Sequence, residues 1–111
     1  MSLTDLRGLV DEAQRKRVQQ IVLNRVADDR DQDECRYIMR FWWQLSMSYT
    51  EVTVEELREH VHEPKLAAIE RLIAAMRTSA EAVQAWIAEA EIAFPVVMDR
   101  GARLNLGLSD N

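Results

Sequence analysis

The chain has 111 residues, 48% hydrophobic, 30% charged and 6% aromatic, and its 14 Lys and Arg against 19 Asp and Glu leave a formal charge of −5. At this length a chain buries roughly two thirds of the surface its unfolded form exposes, enough for one core and too little for two. Three Gly and two Pro exclude collagen-like and linker-like chains, the hydrophobic content excludes general disorder, and a lone cysteine, Cys35, excludes an internal disulfide and a thiolate metal cage.

Over residues 6–26 the apolar positions Leu6, Leu9, Val10, Ala13, Val18, Ile21, Val22 and Val26 recur at three and four, which predicts a long first helix. Thr4 suits its N-cap, with Asp5 in the electropositive first turn. Arg15-Lys16-Arg17 and Gln19-Gln20 read as a solvated face. The run Asp28-Asp29-Arg30-Asp31-Gln32-Asp33-Glu34 then breaks the apolar pattern, and Asp31 or Asp33 suits the N-cap of the next helix.

That second helix is predicted over residues 32–48. At about 100° per residue, Arg36, Arg40 and Gln44 fall in one narrow polar stripe. Cys35, Tyr37, Ile38, Met39, Phe41, Trp42, Trp43, Leu45 and Tyr49 cover most of the remaining circumference. A surface helix needs only a stripe of about 100°, so this one is expected to be central or to lend a flank to another chain. Adjacent Trp42 and Trp43 point about 100° apart and cannot both face one neighbour. The side carrying Met39, Trp43 and Met47 is the expected interface with a second copy or a different protein.

Residues 48–54, rich in Tyr, Thr and Val, admit a short extended piece. Thr53-Val54-Glu55-Glu56 fits a capping box and predicts a short third helix to about His62, with Val54, Leu57 and Val61 inward. Pro64 marks a restart. Leu66, Ile69, Leu72, Ile73 and Met76 define a fourth helix ending near Thr78. Ser79 and Glu81 open a fifth, carrying Val83, Trp86, Ile87, Ala90 and Phe94; Pro95 kinks or ends it, with Val97 and Met98 placed to continue its face. The expected fold is all-α: one bundle of four to five helices over residues 1–100 with the aromatic helix central, then a flexible tail over 101–111.

Chemistry-bearing motifs are few. His60 and His62 are the only histidines, and Glu59-x-x-His62 matches the carboxylate and imidazole pair of di-iron bundles. A metal-dependent enzyme centred on Glu59 and His62 is one reading, although such a site takes a second Glu-x-x-His and the chain has no third histidine. The plainer expectation is a solvated helix face with Glu56 and His60 paired four apart. Cys35 lies on the apolar arc and is expected to pack as a small hydrophobe. There is no Gly-rich phosphate loop, no G-x-S-x-G and no H-E-x-x-H, so neither a cofactor nor a small-molecule substrate is expected.

Residues 53–77 also fit helix-turn-helix spacing, the second helix starting at Lys65, as in a DNA-binding regulator. That helix shows Ala67, Ala68, Glu70, Arg71, Ala74 and Ala75, with no Asn or Gln for base edges, and its partner helix is acidic. Phe41, Trp42, Trp43 and Arg40 suit stacking on single-stranded nucleic acid, but core packing is the commoner use of such residues. Acid concentrates in residues 28–34 and 50–63, each with five acidic residues against one arginine, the reverse of a phosphate-backbone binder. Nucleic acid is therefore not the expected partner.

The leading expectation is a small acidic protein-interaction module, an adaptor, assembly subunit or inhibitor, acting as a homo-oligomer or in a complex. Its expected contact residues are Met39, Trp43 and Met47, with Asp28, Asp29, Asp31, Asp33 and Glu34 facing a basic target. No run approaches the roughly 18 apolar residues of a spanning helix, and Met1-Ser2-Leu3-Thr4-Asp5 does not open a secretory signal, so a cytoplasmic setting without membrane contact is expected.

Overall fold

Asp11, rather than Thr4, opens the first described helix. In the computed structural model of the chain, the described residues are 11–47 and 52–97, the side chains of Ser46 and Met47 excepted. Helix α1 spans Glu12–Ile21. Asp11 is extended (φ −78°, ψ 172°), and its carboxylate accepts the Gln14 N–H at 2.8 Å, with Glu12 in the first turn. That cap interrupts the continuous helix the spacing predicted, because a short acidic side chain satisfies the free amides of a helix start better than it fits a helix interior. Thr4, Leu6, Leu9 and Val10 lie outside the described residues. At its far end α1 passes into a π-helical turn, Val22–Val26, where the Ala27 N–H donates to the Val22 carbonyl five residues back. Val22, Leu23 and Val26 are all buried there.

Helix α2, Gln32–Met47, matches its predicted span, and Asp31 accepts the Glu34 N–H at its start. Ile38, Phe41, Trp42 and Leu45 are at most 2% exposed. The polar stripe needs one correction. Gln44 is buried, and its side-chain oxygen accepts the Val52 N–H at 2.7 Å, pinning the returning chain. A wheel registers only that Gln44 is polar; it cannot register the buried amide opposite. Replacing Gln44 by Leu is expected to cost about 1–3 kcal/mol in urea unfolding through the orphaned Val52 N–H; a loss of only a few tenths would show that amide finding another acceptor.

Helix α3, Val54–His60, carries the predicted capping box: Thr53 accepts from the Glu56 amide while Glu56 accepts from the Thr53 amide. It ends two residues earlier than predicted, because Val61 is already extended (φ −105°, ψ 133°). After the cis Glu63–Pro64 peptide, α4 runs over Lys65–Met76 and buries Ala68, Ile69, Leu72, Ile73, Ala75 and Met76. Ser79 caps α5, Ala80–Ala93, which buries Val83, Trp86, Ile87 and Ala90. Pro95 ends it outright. Phe94 leaves the helix as extended chain and Val97 donates its N–H to the Asn24 carbonyl, so Val97 does not continue the helical face; Met98 is outside the described residues.

The bundle is all-helical, with five α-helices and no strand among the described residues. Of the predicted extended piece only Val52 to Val54 are described, and they form no ladder. Helix α2 packs against α3 and the π turn, α5 against α1 and α4, and one continuous buried core joins them. Two indole N–H groups are satisfied inside it, Trp42 on the Gln19 side chain at 3.0 Å and Trp86 on the Ala68 carbonyl at 2.9 Å. From the π turn, the Arg25 guanidinium reaches the Glu91 and Phe94 carbonyls at the open end of α5. No described helix is long and apolar enough to cross a membrane. Residues 101–111, the predicted tail, lie outside the described residues.

Candidate functional site

Two features stand apart from the core: an acidic junction at the start of α2, and the outer face of α2. At the junction Glu34 is only 3% exposed, one carboxylate oxygen accepting from the Lys65 ammonium at 2.8 Å and the other from the His62 N–H at 2.9 Å. The Asp33 carboxylate lies 2.8 Å from His60 Nδ1, and the His60 ring stacks on Tyr37 with centroids 3.9 Å apart. The Arg40 guanidinium sits over the same Tyr37 ring at 5.1 Å. Asp28 holds Arg30 at 2.6 Å, and Cys35, buried as expected, has its thiol 3.5 Å from Asp29. Most of the acidic connector is therefore engaged within its own chain, and Glu34 is not a surface residue.

The Arg30 hydrogen bonds hold the Asp28 carboxyl down at about 2. A depressed carboxylate contributes stability above its unfolded pKa and loses it as pH falls through the folded one, so this contribution fades between about pH 4 and 2. In Arg30→Gln, which keeps the backbone N–H of residue 30, a carboxylate NMR titration should find the Asp28 midpoint raised part of the way to the ordinary carboxylate range; an unmoved midpoint would show that the guanidinium does not cause the depression.

The metal reading centred on Glu59 and His62 needs both on consecutive turns of one helix. They are not: α3 ends at His60, and the Glu59 carboxylate turns to His60 Nε2 at 3.7 Å. The expected Glu56–His60 pair does not form either, since Glu56 is held in the capping box. Among the described residues Asp31, Glu34 and His62 do bring three possible ligand atoms within 4.8 Å of one another. Lys65 and the His62 amide already occupy both Glu34 oxygens, so the positive charge a cation would bring is supplied by the chain. In the 53–77 helix pair, Lys65 is held by Glu34 and Arg58 by Glu70 at 2.7 Å.

The outer face of α2 is different in character. Trp43 is 38% exposed, whereas Trp42 and Trp86 are 2% and 4%. On the wheel Arg36, Met39, Arg40 and Trp43 share this face; Arg36 is exposed, while Met39 and Arg40 are half-buried. Met47 continues the face along the helix backbone, its side chain outside the description. Phe41 and Trp42 are buried, so the three-aromatic stacking platform is not formed. The partnerships of Glu34, Asp33 and His60 escape the sequence because they span 27 to 31 residues, beyond any local spacing rule.

Compared with known protein families, curated proteins and solved structures, the chain matches none of them.

Proposed function

We propose that the chain is a non-enzymatic protein-interaction module whose docking surface is the outer face of α2, centred on Trp43. The observation that carries this reading is the exposure of one tryptophan in a bundle whose other two are buried. A large amphipathic ring flanked by arginines is the residue mix that concentrates binding energy at protein interfaces. The acidic connector acts as an internal fastener between α2 and the α3–α4 turn, with Asp28, Asp33 and Glu34 each holding a partner in the chain. The engagement of Lys65 and Arg58 by carboxylates weighs against residues 53–77 as a reader of DNA.

The test is co-purification and light scattering of the wild type and of Trp43→Glu. The wild type is expected in a complex or oligomer that the variant leaves, while the variant melts as the wild type does. Assembly that survives Trp43→Glu, or a variant that no longer folds, would defeat the reading.

A further inference from the structure

On the condition that the outer face of α2 is the docking surface, we infer that its occupant is a second copy of the chain, the two α2 helices running antiparallel across a two-fold axis. At about 100° per residue, Trp42 and Tyr37 stand about 120° and 100° to either side of Arg36. Trp42 meets α1 through Gln19 and Tyr37 meets α3 through His60, so the arc between them is the open side of α2, where Arg36 and Trp43 are both exposed. These two residues are seven apart, which puts them nearly in line and about 10 Å apart along the helix. When two such helices run antiparallel about a point midway between Met39 and Arg40, Arg36 of each copy falls over Trp43 of the other. The same contact then forms twice, as an isologous interface requires.

The chemistry of the pairing suits the groups it joins. Arg36 makes no ion pair or hydrogen bond among the described residues, whereas Arg40 is held over Tyr37 and stays with its own chain. A tryptophan face attracts a guanidinium through its ring quadrupole, and half-buried Met39 supplies the apolar centre beside the axis. An acidic helix would find Arg36 alone, and single-stranded nucleic acid would find one exposed ring instead of a row, since Phe41 and Trp42 are buried. Net charge does not choose the occupant: −5 opposes a second copy and an acidic partner alike, and salt screens it within about 8 Å at physiological strength. With 16 residues, α2 is about 24 Å long, so the contact is small and the dimer forms with rising concentration, in the micromolar range.

The experiment is sedimentation velocity of the full chain from about 1 to 300 µM, with circular dichroism as the control for folding. The wild type is expected to pass from monomer to dimer over that range, and Trp43→Glu to stay monomeric. Arg36→Ala and Trp43→Leu each remove both Arg–Trp contacts and should each weaken the dimer about 25-fold, about fivefold per contact. Arg36 is exposed, so its truncation tests the pairing without disturbing the core. Mixing the two variants restores one contact in the mixed dimer, which should form about fivefold more tightly than either variant dimerises alone. Between about 50 and 300 mM salt the wild-type dimer should tighten, because screening relieves the repulsion of like charges. A wild type that stays monomeric throughout would overturn the second copy, the docking face then being decided by the co-purification of Trp43→Glu. A dimer that Trp43→Glu dissolves but Arg36→Ala leaves unchanged, or mixed variants that gain nothing, would overturn the antiparallel pairing and leave the docking face standing. Steep weakening with salt would overturn it in favour of carboxylate–guanidinium pairs, and a dimer that survives Trp43→Glu would overturn both the pairing and the face.

Discussion

Trp42→Ala should lower the unfolding free energy by about 3–5 kcal/mol, while Trp43→Ala, one residue on, should lower it by less than about 1 kcal/mol. The two side chains have the same chemistry and differ only in what surrounds them. Trp42 is 2% exposed and donates its indole N–H to the half-buried Gln19 side chain, so truncation leaves a large cavity and takes away that amide oxygen's donor. Trp43 is 38% exposed and leaves only a dent that water fills. A domain of this size has roughly 5–15 kcal/mol in total, so Trp42→Ala puts much of that at stake. Guanidinium unfolding of both variants is the measurement. Equal losses would make Trp43 a core residue and remove the basis of the proposed docking face.

Glu34→Ala is the second large effect, expected at about 3–5 kcal/mol even though an isolated glutamate near a helix start is ordinarily dispensable. Its two oxygens serve the Lys65 ammonium, which is 22% exposed, and the His62 amide, so truncation leaves a largely enclosed charge and an unsatisfied donor together. Removing both charges is expected to be milder: Glu34→Leu with Lys65→Met leaves only the His62 amide unpaired. A double-mutant cycle by urea unfolding should therefore return a coupling above about 1 kcal/mol. Additive losses would show that Lys65 escapes to solvent when Glu34 is removed.

What the sequence makes legible is what local spacing encodes. The apolar stripes of α4 and α5, the Thr53 capping box, the Ser79 cap and the divergence of Trp42 from Trp43 all arise from periods and caps within a few residues. The missed features depend on something else. Gln44 reads as solvated because a wheel contains no Val52 amide, and the Leu6 to Val26 stripe reads as one helix because apolar spacing carries no information about the Asp11 cap. The π turn is hidden for a related reason, since Val22, Leu23 and Val26 are apolar under either helical period. The acidic connector looks like a surface for others to bind until its partners arrive from α3 and α4. The outer face of α2 is half legible: Met39 and Trp43 read as an interface, but Arg36 and Arg40 read as solvated and separate from it.

The Arg25 guanidinium carries a consequence for cooperativity. Helix α5 has no basic residue in its last turn, and the cation that closes its carbonyl end comes from a residue 66 positions earlier. The early and late parts of the chain are therefore thermodynamically mutual. A fragment holding α4 and α5 alone would keep their shared apolar faces yet leave the end of α5 open, and a fragment ending before α5 would leave Arg25 without its acceptors. Opening either part removes a partner of the other, so the early and late parts of the bundle are expected to unfold together in one transition.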